Sequence, residues 1–127
     1  MKKTISTAEA PSPINNLYSQ GILSEGKMVF TAGQVGLDPN TGKLVEGLEA
    51  QTWQALENVK AIVEAAGTNM SNVLKVTVLL DNIDDFGAMN AAYTTFFPAN
   101  PPARTAYEVG RLPIGALVEI EAIAVID

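Results

Sequence analysis

The sequence predicts an α+β protein: a single mixed sheet of about six strands with two helices on one face. Three observations predict it. Residues 48–66 and 86–97 carry apolar side chains at helical spacing, while 73–80 and 117–126 are β-branched, apolar runs of strand length. The order of these runs along the chain is β, ββ, α, β, α, ββ, which suits helices gathered on one face of a sheet. With 127 residues, 47% of them apolar, the chain is long enough for one core and is read as one domain, 1–127.

Taken in order, residues 1–17 contain Pro11, Pro13 and Asn15-Asn16 and read as a short strand followed by an irregular loop. Tyr18–Leu23 and Lys27–Ala32 flank Ser24-Glu25-Gly26, a pattern that predicts two strands joined by a tight hairpin, with Gly33 ending the second. Asp38-Pro-Asn-Thr-Gly42 is a turn cluster. Leu48, Thr52, Ala55, Leu56, Val59, Ile62, Val63 and Ala66 form one helical stripe, and Gly67 stands where a helix-ending glycine belongs. Val73–Leu80 reads as a strand with Lys75 and Thr77 on one face. Asp81 or Asn82 caps a second helix with Asp84 and Asp85 in its first turn. Its inner stripe is Phe86, Met89, Asn90, Tyr93, Phe96 and Phe97, and Pro98 ends it. Two strands, 103–109 and 117–126, close the chain. The last has Val118, Ile120, Ala122, Ala124 and Ile126 on one side and Glu119, Glu121, Ile123 and Val125 on the other. Both sides are mainly apolar, yet two helices cover only one, so the uncovered side is expected to pack in a homo-oligomer.

Composition narrows the chemistry. The chain has no cysteine, which removes disulfides, thiolate metal sites and thiol nucleophiles, and no histidine, which removes imidazole-based proton transfer. The net charge is −6, and the six lysines and two arginines form no basic run beyond Lys2-Lys3, so nucleic-acid binding is not expected. No stretch approaches a membrane span, and Thr4–Pro13 lacks the apolar run of a signal peptide; the chain reads as cytoplasmic, with no cofactor and no metal.

What remains is an arginine whose partner is open. Arg104, in Pro101-Pro-Ala-Arg-Thr-Ala-Tyr-Glu108, is one of only two arginines and lies in an apolar strand. A buried guanidinium needs a partner: either Glu108, Glu119 or Glu121 of this chain, or the carboxylate of a small ligand. Glu119 and Glu121 alternate onto one strand face about 7 Å apart, and either could serve in acid–base chemistry. Asn90 is an amide within an apolar stripe, Tyr18 a rim tyrosine, and Gly33, in Phe30-Thr-Ala-Gly-Gln34, a position where a ligand could approach the backbone.

The chain resembles the YjgF family, the reactive-intermediate deaminases, over nearly its whole length. The likeness rests on Tyr18-Ser-Gln-Gly21, Phe30-Thr-Ala-Gly-Gln34, residues 54–67 and 73–78, Asn90-Ala-Ala-Tyr-Thr-Thr-Phe-Phe97, Pro102-Ala-Arg-Thr105 and Val118–Val125. It implies a chorismate-mutase-like homotrimer with sites between subunits. It also implies hydrolysis of 2-imino acids, released by pyridoxal-phosphate dehydratases, to 2-oxo acids and ammonia. In that resemblance Arg104 grips the substrate carboxylate and Glu119 positions the attacking water, while Tyr18, Gly33, Asn90 and Thr105 line the pocket. Ala106 stands where many relatives have cysteine, Thr105 where serine is common and Gly110 where alanine is usual. Holdase behaviour dependent on that thiol is therefore not expected here. The alternatives are a non-catalytic trimer that binds 2-oxo acids, for which Glu119 is dispensable, and an endoribonuclease or translation inhibitor, which the acidic charge and absent histidine disfavour.

Overall fold

Alternating burial in two central strands organises the molecule, described for residues 1–127 by a computed structural model. Seven strands form: β1 (Lys2–Ile5), β2 (Gly21–Ser24), β3 (Lys27–Phe30), β4 (Gln34–Val35), β5 (Val73–Leu80), β6 (Ala103–Glu108) and β7 (Val118–Ile126). The two helices are α1 (Leu48–Ala65) and α2 (Phe86–Tyr93). In β5, Val76, Val78 and Leu80 are buried while Lys75, Thr77 and Leu79 between them are half-buried; in β7, Val118, Ile120, Ala122 and Ala124 are buried. Their buried rows meet Ala55, Leu56, Val59 and Val63 of α1 and Met89, Tyr93 and Phe97 at α2, making one core between helices and sheet. That layered α+β arrangement is the one the sequence predicts.

The sheet itself departs from the prediction. Instead of one six-stranded sheet there are two ladders: a pair, β1–β2, and a five-stranded mixed sheet ordered β3-β7-β5-β6, with β4 also pairing β7. The hairpin expected around Ser24-Glu25-Gly26 does not form. β2 pairs antiparallel with β1, Lys2 opposite Ser24, and β3 pairs with β7, Lys27 opposite Ile126. Gly26, at φ +127°, makes a bend against Val125 that hands the chain from the small ladder to the large one. A two-residue gap containing glycine thus permits a hairpin without specifying it; the competing partners β1 and β7 are longer-range and decide the pairing.

The helix boundaries follow local chemistry. Thr52 Oγ1 bonds back to the Leu48 carbonyl within α1, and Gly67, at φ +97°, ends the helical stretch with its N–H on the Glu64 carbonyl. The Asn82 side chain caps a short 3-10 turn, Ile83–Asp85, that leads into α2, so Asp84 and Asp85 lie in that turn and not in the α-helix.

The face opposite the helices is open. It carries Lys75, Thr77 and Leu79 of β5, Thr105 and Tyr107 of β6, Glu119, Glu121 and Ile123 of β7, and Phe30 of β3. Phe30 is 67% exposed and Tyr107 47%. No helix of the chain is long and apolar enough to cross a membrane.

Candidate functional site

Register decides which way the one arginine of the Pro-Ala-Arg segment points. β6 runs parallel to β5 with Arg104 beside Val76, and Val76 lies beside Ala122 of β7; both are buried under the helices. Arg104 therefore enters the helix side. There α2 presents a stripe, Phe86, Asn90 and Tyr93, at helical spacing. Asn90 Oδ1 accepts a hydrogen bond from Arg104 Nη1 at 2.6 Å. The guanidinium carbon stands 4.8 Å from the Tyr93 ring centre, 5.5 Å from that of Phe86 and 5.8 Å from that of Tyr18, distances at which aromatic faces attract a cation. Tyr18 is brought in by its neighbour: Ser19 N–H donates to the Pro102 carbonyl at 3.1 Å and Ser19 Oγ to the Pro101 carbonyl at 2.5 Å, fixing this loop to the start of β6.

No carboxylate joins this cage. The only ion pair of the chain links the N-terminus and Asp127. Glu108, one sequence candidate, accepts instead from the Ile83 N–H at 3.0 Å. Apart from Nη1, whose acceptors are Asn90 Oδ1 and the Met89 sulfur, the guanidinium donates to no protein atom. Burial pushes the Arg104 pKa down from its usual value, and the nearby Tyr93 and Tyr18 hydroxyls act against that shift. Burial likewise pushes the Tyr93 phenol well above its ordinary value, with Arg104 opposing. The Tyr93 hydroxyl is buried and has no hydrogen-bond partner.

Glu119 stands on the other face. Its row across the sheet is Glu119–Leu79–Tyr107, and the next is Glu121–Thr77–Thr105. A cavity of about 180 Å³ lies over Gly33, Thr77, Leu79, Glu119 and Glu121. Gly33 follows β3 at the point where the chain passes the Glu119 side chain. A Cβ on Gly33 would lie 2.5 Å from Glu119 Oε2 and 2.9 Å from its carboxyl carbon.

Of the sequence candidates, Arg104, Asn90 and Tyr18 come together, and Gly33 and Glu119 come together. The sheet separates the two groups within one chain. Thr105 belongs to the second face, where its hydroxyl accepts from Lys75 Nζ at 2.8 Å. No internal glutamate pairs with Arg104. Sequence reasoning placed Phe86 and Tyr93 only in the core; their spacing with Asn90 was the signal that all three would share one cation. Lys75, a strand-face residue by its alternation, holds Thr105 on that face. No group of carboxylates is placed to hold a metal ion.

The geometry defines a class: a small α+β protein with an aromatic-caged arginine that has no carboxylate partner, and a glutamate on the reverse of the same sheet. The chain belongs to the family described as Endoribonuclease L-PSP, whose profile matches residues 7–126, and which includes YjgF. It is 48% identical over 126 residues to a 2-iminobutanoate/2-iminopropanoate deaminase of Rattus norvegicus, covering 98% of this chain and 90% of that one. Its structure is similar to that of the YjgF gene product of E. coli, with TM-score 0.76, 46% identity and coverage of 97% and 98% of the two chains. It is also similar to E. coli TdcF with bound serine, with TM-score 0.77, 42% identity and coverage of 98% and 99%.

Proposed function

We propose that this protein is a deaminase that hydrolyses reactive 2-imino acids, and their enamine tautomers, to 2-oxo acids and ammonia. The observation that carries the reading is Arg104: a half-buried guanidinium, held in orientation by Asn90 and three aromatic rings, with no carboxylate of its own chain to neutralise it. A planar carboxylate is the ligand such a fork fits best. Deaminase relatives at 48% identity over almost the entire chain, and a similar structure holding serine, supply the class of ligand.

The site is assembled between subunits. Arg104 lines none of the cavities of the isolated chain and lies across the sheet from Glu119. One subunit supplies Arg104, Asn90 and Tyr18; a neighbour supplies Glu119 and Gly33. The open sheet face, with Phe30 67% exposed, is the surface that a trimer with inward-packed sheets buries. Thr105, bonded to Lys75 on that face, borders the site through its backbone beside Arg104.

The chemistry needs little else. The protonated imine is electrophilic at C2. Arg104 fixes the substrate carboxylate, and Glu119 accepts a proton from a water that attacks C2, giving a carbinolamine. Glu119 returns that proton to the nitrogen, and ammonia leaves as the hydroxyl proton passes to water and the C2 carbonyl forms. Orientation and a positioned proton acceptor suffice for such a step, without histidine or cysteine.

The test uses 2-aminoacrylate or 2-iminobutanoate generated in situ from serine or threonine by a pyridoxal-phosphate dehydratase. The protein is expected to accelerate release of ammonia and 2-oxo acid over buffer, and Arg104→Ala is expected to abolish that acceleration. Release at the buffer rate with the wild-type protein would overturn the proposal.

A further inference from the structure

We infer that Gly33 is a positioning residue for the Glu119 carboxylate, which it serves by having no side chain. The inference rests on the catalytic reading of Glu119. A Cβ built on Gly33 would meet Glu119 at three atoms: Oε2 at 2.5 Å, the carboxyl carbon at 2.9 Å and Cγ at 3.2 Å. Those three are its nearest neighbours, and all belong to one side chain. The glycine is not required by its backbone either. Gly33 is absent from the glycines of positive φ, which are Gly26, Gly42, Gly47, Gly67 and Gly115. An alanine at 33 therefore meets no left-handed φ, and its tightest contacts are all with the side chain of one glutamate.

That combination fixes what the substitution does. Where a glycine faces backbone, adding a methyl group forces the fold apart; Gly36, whose Cβ would stand 2.6 Å from Gln51 Cα, is such a case in this chain. At Gly33 the obstacle is a flexible side chain with room to leave, since the cavity of about 180 Å³ lies over the same carboxylate. Ordinary contact begins at 3.4 Å, so Glu119 Oε2 has to retreat by about 1 Å. The stability of the protein changes little. The carboxylate, however, no longer points where it did, and a displacement of about 1 Å at a reacting group can cost 10²-fold in rate.

The position of Gly33 in the chain also explains why the spacer works. It lies between β3 and β4, and both of these strands pair with β7, the strand that carries Glu119. Val35 is paired with Glu119 itself, and Thr31 N–H bonds to the Ala122 carbonyl at 2.9 Å. Residue 33 is thus held on both sides against the strand it has to clear, and it cannot drift away to accommodate a larger side chain.

The experiment is a double-mutant cycle with a structural readout. Gly33→Ala, Glu119→Ala and the double variant are compared for kcat on in situ 2-iminobutanoate, for calorimetric binding of 2-oxobutanoate, and for melting temperature; the crystal structure of Gly33→Ala gives the Glu119 position. The expected result is a Glu119 carboxylate displaced by about 1 Å and kcat lowered about 10²-fold. Binding should stay within a few-fold of wild type, and Gly33→Ala should have no further effect in the Glu119→Ala background. An undisplaced carboxylate, or the same rate loss with and without Glu119, would overturn the inference while leaving the role of Glu119 standing. Displacement with unchanged kcat would overturn both the inference and the catalytic reading of Glu119.

Discussion

Replacing Arg104 by lysine keeps the positive charge and removes the fork. In the structure Nη1 is committed to Asn90 Oδ1 at 2.6 Å, which leaves Nη2 and Nε to grip a carboxylate in two places. A charge-assisted hydrogen bond contributes about 1.5–3 kcal/mol. Lysine, a point donor on a flexible stem, retains one such contact and loses the other, so ligand affinity should fall roughly 10- to 100-fold. Alanine loses both, and affinity should fall roughly 10²- to 10⁴-fold. The fold should survive either change. Burial disfavours the Arg104 charge in the free protein, so alanine relieves a cost that offsets the lost Asn90 hydrogen bond, while lysine keeps the charge within reach of Asn90; the melting temperature should remain close to wild type in both. The assay is calorimetric titration of 2-oxobutanoate, alongside ammonia release from in situ imine. Because a carboxylate grip is made in the ground state and the transition state alike, the loss should fall mainly on binding and on kcat/KM. If Arg104→Lys binds 2-oxobutanoate within twofold of wild type, the clamp reasoning is wrong.

Glu119→Gln should lower kcat about 10²- to 10⁴-fold while product-analogue binding stays nearly unchanged; equal losses in both would make Glu119 a scaffold residue. Tyr93→Phe should stabilise the protein by about 1 kcal/mol in urea unfolding at neutral pH, since it removes a buried hydroxyl without a partner. The same variant should flatten the alkaline limb of the stability curve. The buried phenol keeps its proton above the ordinary tyrosine pKa, so the unfolded chain binds fewer protons there and wild-type stability falls as pH rises past about 10; an unchanged alkaline limb in Tyr93→Phe would count against this. If the proposed trimer packs through the open sheet face, Phe30→Asp should shift sedimentation toward monomer at micromolar concentration and reduce turnover with it, because Phe30 is the most exposed aromatic of that face; a monomer with full activity would remove the intersubunit site.

Local sequence settles the parts of this protein that depend on neighbours a few residues away. The α1 stripe, its Gly67 terminus and the alternation in β5 and β7 are local periodicities, and the burial patterns follow them, with a departure at the end of β7, where Val125 is buried beside Ala124 and Ile126 is only half-buried. The family motifs implied the reaction class, and the resemblance, not the residue inventory, singled out Arg104 and Glu119 for it. Tertiary structure decided the rest. Whether Ser24-Glu25-Gly26 turned a hairpin depended on β1 and β7, which lie far away in sequence and outcompete the local pairing. Whether Arg104 had an acidic partner depended on strand register, because side chains alternate faces and Arg104 aligned with Val76 while Glu119 aligned with Leu79. A pattern of residue types names the candidates for an ion pair. Only the pairing of strands, set by long-range burial, puts two of them on the same side of a sheet or leaves one without an acidic partner.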